Sequence, residues 1–134
     1  MRAAVSRFAI AAMFLALATA TTASADTVLV NVGPVSFTPQ FPQIRVGDTL
    51  VFRNMGGVHN VVDDSGLLFR CANGCDGDGG SGNPSSGNWL VSVQFNEPGT
   101  IGYYCETHGS PGKGMYGAVT VELRPEIFGD GFEP

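Results

Sequence analysis

The stretch Ile101-Gly-Tyr-Tyr-Cys-Glu-Thr-His-Gly-Ser-Pro-Gly-Lys-Gly-Met-Tyr-Gly-Ala-Val-Thr-Val121 sets a β-branched and aromatic run on each side of a segment rich in Gly. It reads as a strand over Ile101–Cys105, a loop, and a last strand over Ala118–Leu123. The same pattern recurs upstream. Runs at Thr27–Val32, Val35–Phe37, Gln43–Val46, Thr49–Arg53, Val58–Val62 and Leu90–Phe95 are separated by Gly, Pro, Asn and Asp. None sustains a helical period. Short strands at this spacing predict an all-β chain folded as a two-sheet sandwich.

Alternation assigns the facing of two strands. Leu50 and Phe52 share one face, and Trp89, Val91, Val93 and Phe95 share another, so both sets are core candidates. Trp89 is in phase with three apolar side chains and is expected as a packed aromatic, not as a binding platform. Asn96-Glu-Pro-Gly99 supplies the turn into the Ile101 strand. From Cys71 to Asn88 the chain is almost entirely Gly, Asn, Asp, Ser and Pro, which predicts a surface loop, long for so small a domain.

Residues 1–25 read as a secretory signal peptide. Arg2 and Arg7 make a positive start, Phe8–Ala18 is apolar but too short to span a bilayer, and Ala23-Ser24-Ala25 fits a cleavage site. No Cys follows closely enough for a lipid anchor, and no later segment has the length of a membrane span. The expected mature chain holds one domain, residues 26–123, with a flexible tail over 124–134. Loss of Arg2 and Arg7 moves the formal charge from −5 to −7. Such a surface repels nucleic acid and anionic lipid and steers basic partners.

Cys105, His108 and Met115 fall within eleven residues, and the other histidine of the chain, His59, lies far upstream in Val58-His-Asn-Val. A thiolate and two imidazoles make the trigonal plane of an electron-transfer copper site, and a thioether makes its weak axial ligand. C-x₂-H alone is a common and weak signal. The constellation gains force from Met115 beyond it, from the flanking strands and from His59. Met1 and Met13 leave with the leader, and Met55 remains a second thioether candidate, four residues before His59. Three cysteines in an exported chain leave one over. Pairing Cys71 with Cys75 as a disulfide frees Cys105 for a metal.

Phe41-Pro-Gln-Ile-Arg-Val-Gly-Asp-Thr-Leu-Val-Phe52, His59-Asn60, Pro98-Gly-Thr-Ile-Gly-Tyr-Tyr-Cys105, His108 and Gly114-Met-Tyr-Gly-Ala-Val-Thr-Val121 resemble the plastocyanin/azurin group of cupredoxins over most of the mature region. The resemblance implies a Greek-key sandwich holding one type 1 copper ion on His59, Cys105, His108 and Met115. It also implies that Asn60 ties the two ligand segments together by hydrogen bonds, and that the His108 imidazole edge reaches the surface. Gly56, Gly57, Gly109 and Pro111 would then form an uncharged docking patch around it. Two departures stand out: C-x₂-H-x₆-M is two residues longer than the plastocyanin C-x₂-H-x₄-M, and plastocyanins do not carry the Cys71–Asn88 segment. The Cys71-x₃-Cys75 spacing resembles that of the dinuclear copper centre of cytochrome oxidase subunit II, but Asp76–Asn88 contains no histidine to complete one. Asp76-Gly-Asp78 resembles the start of a calcium loop, yet Gly80 stands where the third side-chain ligand should be.

The expected function is a soluble one-electron carrier, periplasmic or secreted, monomeric, acting between redox protein partners with a basic docking surface. The alternative is an exported copper-buffering protein without an electron-transfer partner. Two histidines are too few for the additional copper of a multicopper oxidase or nitrite reductase, so no enzymatic activity is expected.

Overall fold

The computed structural model describes residues 12–17 and 24–125. The remainder of the expected leader, 1–11 and 18–23, lies outside the described residues, as does 126–134 of the expected tail. Ten strands follow one another: β1 (Thr27–Val32), β2 (Phe37–Thr38), β3 (Gln43–Arg45), β4 (Thr49–Asn54), β5 (Val61–Asp63), β6 (Arg70–Ala72), β7 (Gly74–Cys75), β8 (Leu90–Gln94), β9 (Gly99–Ser110) and β10 (Lys113–Glu122). They form a four-stranded sheet in the order β2-β1-β4-β8 and a six-stranded sheet in the order β3-β10-β9-β5-β6-β7. The described residues form an all-β two-sheet sandwich, as the strand spacing predicts. Among the described residues no helix is long and apolar enough to cross a membrane.

Period-two alternation builds the core. On β10, Met115, Gly117, Val119 and Val121 point inward and their neighbours face outward or lie half-covered. Leu50, Phe52, Trp89, Val91 and Phe95 are buried as the alternation predicts, and Val93 is half-buried. Between the sheets, Tyr103 packs edge-on against Phe37 and Phe52, with ring centroids 5.0 and 5.2 Å away. Edge-to-face pairs of this kind add about 0.5–1.5 kcal/mol beyond the area they bury. β1 runs parallel to β4 along its whole length, from Thr27 opposite Thr49 to Val32 opposite Asn54.

Two differences from the expected strands concern the site. First, β9 and β10 run further toward each other than expected and close over Pro111-Gly112, with a register shift between Gly114 and Tyr116. His108 therefore sits on a strand, not in a loop. Second, the Cys71–Asn88 segment is not only surface: β6 and β7 extend the larger sheet, Val61 pairs with Cys71, and Cys71 and Ala72 are buried. The buried Asp63 carboxylate makes this return possible. It accepts hydrogen bonds from Leu68 N at 2.9 Å, Phe69 N at 3.0 Å and Ser65 N at 3.1 Å, and so shapes the turn that brings the chain back onto β5.

Where β3 turns into β4, Asp48 is 4% exposed and accepts from Asp26 N at 2.8 Å and Arg45 N at 2.9 Å. Arg124, the first residue of the expected tail, pairs with it and donates through Nε to the Val46 carbonyl at 2.9 Å. Burial pushes the Asp48 carboxyl up, but the two backbone bonds and the Arg124 and Arg45 charges outweigh it and hold the group below its usual value. A carboxylate held down in the folded state contributes stability at neutral pH that disappears as pH falls below about 4. Asp48→Asn should therefore cost about 1–3 kcal/mol at pH 7 and flatten the acid limb of denaturant-measured stability against pH. Tyr103→Phe is the contrasting case. The Tyr103 hydroxyl is buried with no protein partner among the described residues. Its removal should leave stability within about 1 kcal/mol of the parent or raise it.

Candidate metal centre

His59 lies between β4 and β5, held by a two-bond bridge to Ser85: His59 N donates to Ser85 O at 3.2 Å and Ser85 N to His59 O at 3.0 Å. Cys105 is on β9, pointing inward like Tyr103 two residues earlier, and His108 follows three residues later on the same strand. The Cys105 Sγ is 3.7 Å from Nδ1 of His59 and 3.7 Å from Nδ1 of His108. All three donor atoms lie within 4.8 Å of one another. Two chain segments 46 residues apart thus converge on one point.

These residues fit a metal ion. Metal–sulfur and metal–nitrogen bonds of about 2.0–2.3 Å, meeting at about 120°, would separate sulfur and nitrogen by roughly 3.7 Å. A thiolate with two imidazoles is a donor set for copper or zinc. Cys105 is free because Cys71 and Cys75 are bonded to each other. Burial is the main cause that lowers the His59 pKa, and the facing His108 charge adds to it; the Gly56 carbonyl opposes them without prevailing. The neutral ring that a metal requires is thereby favoured. His59 and Cys105 are buried and His108 is exposed, so the triangle has one open corner.

The His59 ring is positioned by backbone as much as by side chains. A Cβ added at Gly57 would lie 2.8 Å from Nε2 of His59, and Gly57 has φ of +86°, a region that favours glycine. Gly57, expected only as part of a docking patch, also shapes the wall behind the ring. Asn54, which sequence reasoning missed, holds the other side. Its buried amide donates to Gly57 O at 3.0 Å and Gly87 O at 2.9 Å, and Trp89 Nε1 donates to Ser85 O at 3.0 Å. A polar residue in the inward-facing series Leu50, Phe52, Asn54 was the available signal.

Asn60 joins the two ligand segments. Its Oδ1 accepts from Glu106 N at 2.9 Å, and its Nδ2 donates to Glu106 Oε1 at 3.1 Å and to Gly82 O at 2.9 Å. The thioether candidates separate clearly. Met115 is 1% exposed within the core cluster that contains Cys105, whereas Met55 is 52% exposed and its sulfur accepts from Arg53 Nε at 3.2 Å. Gly56, Gly57 and Pro111 are exposed and Gly109 is half-buried. Asp76 is engaged by Arg70 at 2.8 Å and by Gly82 N at 2.6 Å, leaving no calcium loop. Among the described residues, His59, Cys105 and His108 are the one group of such side chains placed to hold a metal.

Residues 25–122 match the sequence profile of the plastocyanin/azurin family of copper-binding proteins. The chain belongs to that family. The chloroplastic plastocyanin of Hordeum vulgare is 36% identical over 98 residues, covering 68% of this chain and 57% of that protein. The plastocyanin of Scenedesmus fuscus is 32% identical over 91 residues, covering 67% of this chain and 90% of that protein. The chain thus spans little more than half the length of the chloroplastic plastocyanins it matches. Among solved structures, a Cu(I) amicyanin variant superposes with a TM-score of 0.53 at 25% identity over 72% of this chain and 82% of that one. A second amicyanin variant, in its reduced state, gives 0.53 at 26% over 78% and 89%.

Gly57→Ala should weaken metal binding tenfold or more, about 1.4 kcal/mol, measured as the dissociation constant of the metal-free protein for Cu(II). Gly47→Ala is the control. Gly47 has φ of +93° but nothing within 4 Å of an added Cβ, so that variant should lose stability while keeping its metal affinity.

Proposed function

We propose that this protein is a mononuclear type 1 copper protein that carries single electrons between larger redox proteins. The observation that supports it most is the asymmetry of the triangle: two ligands sealed in the core and one imidazole at the surface. Copper supplies the redox change. The chain supplies everything that makes the change fast. His59 and Cys105 are fixed by Ser85, Asn54 and Asn60, so the donors have little freedom to follow the different preferences of Cu(I) and Cu(II), and the exposed His108 edge gives the electron a short way out. Met115 would supply the thioether; its burial in the core cluster that contains Cys105 and the exposure of Met55 support this choice.

His108 is proposed as the contact point for partners, with Gly56, Gly57, Gly109 and Pro111 as the small uncharged surface that lets another redox centre approach. The excess of acidic residues over basic ones supports partners with a basic face. A monomeric, exported carrier, periplasmic or secreted, is the corresponding cellular setting. A copper buffer would need to release its ion, and the full burial of His59 and Cys105 works against easy exchange.

Copper-loaded protein should be intensely coloured by charge transfer from the Cys105 thiolate, and Cys105→Ser should abolish the colour while keeping the fold. Met115→Gln should keep the colour and lower the midpoint potential. Repeated reduction and reoxidation without copper loss separates the carrier from a buffer, which would shed the ion on reduction. A docking surface at His108 predicts that Pro111→Glu slows electron transfer to a basic partner several-fold with the visible spectrum unchanged. Gly57→Glu is unsuited to the same test, because its Cβ would press on His59.

A further inference from the structure

The side chains of the Arg70–Asn88 segment close a ring of polar contacts around both ligand segments. The Arg70 guanidinium grips both carboxylate oxygens of Glu106, through Nε and, at 3.2 Å, through Nη2; its Nη1 reaches Asp76 at 2.8 Å and Asn83 at 3.1 Å. Asp76 accepts from Gly82 N at 2.6 Å, and the Gly82 carbonyl accepts from Asn60 Nδ2 at 2.9 Å. Asn60 in turn bonds Glu106 twice, at 2.9 and 3.1 Å, which completes the circuit. Asn60 follows His59 in the chain and Glu106 follows Cys105, so the ring joins the immediate neighbours of two metal-facing side chains. Gly82 permits the closure, since an added Cβ would overlap the Arg70 carbonyl.

The charged side chains of the ring lie at the edge of the protein, not in its core. The Arg70, Asp76 and Glu106 side chains are 28%, 47% and 34% exposed, and ion pairs in such positions contribute little. What the ring does is geometric and electrostatic. A bidentate guanidinium fixes the orientation of a carboxylate as a lysine cannot, and here the carboxylate belongs to the residue after Cys105. One cation also stands against two carboxylates, so the ring that includes the residue after Cys105 carries a single net negative charge.

We propose that Arg70 is a positioning residue for the metal centre. By clamping Glu106 it holds the peptide beside Cys105 and offsets one of the two carboxylate charges, so that the reduction potential of copper on His59, Cys105 and His108 is set in part from the Arg70–Asn88 segment. The inference rests on the copper reading above and extends it to residues outside the ligand set. The sign follows from Coulomb's law: uncompensated negative charge near the ion favours Cu(II) over Cu(I) and lowers the potential, while loss of a carboxylate raises it.

The test is a redox titration of copper-loaded parent, Arg70→Gln, Arg70→Lys and Asp76→Asn, with amide hydrogen exchange of the metal-free forms. Arg70→Gln should lower the midpoint potential, Asp76→Asn should raise it, and Arg70→Lys should fall between parent and Arg70→Gln, because lysine keeps the charge and loses the fork. In metal-free Arg70→Gln the Glu106 amide should exchange several-fold faster than in the parent. Equal potentials for parent and Arg70→Gln would overturn the inference. So would shifts of Arg70→Gln and Asp76→Asn in the same direction, the mark of simple loosening. Should Arg70→Gln fail to fold, Asp76→Asn decides alone: a raised potential supports the inference and an unchanged one sinks it. A parent that never develops the thiolate colour would overturn the copper reading itself, a result distinct from coloured variants that share one potential.

Discussion

Two hydrogen bonds between Asn60 and Glu106 hold together chain segments that are 46 residues apart in sequence, and the metal centre depends on that join. Without it, the His59 and Cys105 segments would be joined by the β5–β9 ladder and the longer route through Gly82, Asp76 and Arg70. Val62 pairs with Tyr104, so β5 and β9 are already neighbours when they reach the site. Beyond that pairing the ladder stops and side chains take over. Asn60 uses both amide hydrogens and its carbonyl oxygen, which leaves this fully buried residue without an unmet polar group. A buried amide so completely satisfied specifies one arrangement strongly, since every alternative leaves a donor or acceptor unpaired.

The same economy explains why the site can exist before its ion arrives. Asn54, Ser85 and Trp89 brace His59 by bonds that involve no metal. Cys105 is carried on an inward-facing strand position two residues from Tyr103, fully buried in the core. A preformed triangle resists the change of shape that each oxidation state would otherwise impose. The cost is specificity of a demanding kind at Gly57, where the wall behind His59 has no room for a side chain.

How much of this was legible in the sequence differs by physical origin. Strand positions and the inward residues Leu50, Phe52, Trp89 and Phe95 were readable because a period-two pattern is a direct record of burial. His59, Cys105 and His108 were readable because the chain has two histidines and, once Cys71 and Cys75 are paired, one cysteine left over. The β6 and β7 strands were hidden by composition: Gly, Asn and Asp usually mark surface, and only the cap formed by Asp63 returns Phe69–Ala72 to the sheet. Asn54 was hidden for a related reason. Its role is to donate to carbonyls of Gly57 and Gly87, partners 3 and 33 residues away, and backbone carbonyls carry no signature in sequence.

The Cys71–Asn88 segment, expected as a surface loop, reaches the ligand segments at two points. Ser85 pairs with His59 and Gly82 bonds Asn60, while Arg70, the residue just before that segment, clamps Glu106. The Cys71–Cys75 disulfide closes a ring too short to restrain much of the unfolded chain. Its effect is local: it fixes the tight β6–β7 reversal from which Asp76 meets Arg70. In a chain with a single histidine on each ligand segment, the metal geometry has no spare donor to absorb an error. Hydrogen bonds with Ser85, Gly82 and Arg70 brace, from outside the ligand set, the residues that carry and flank His59 and Cys105.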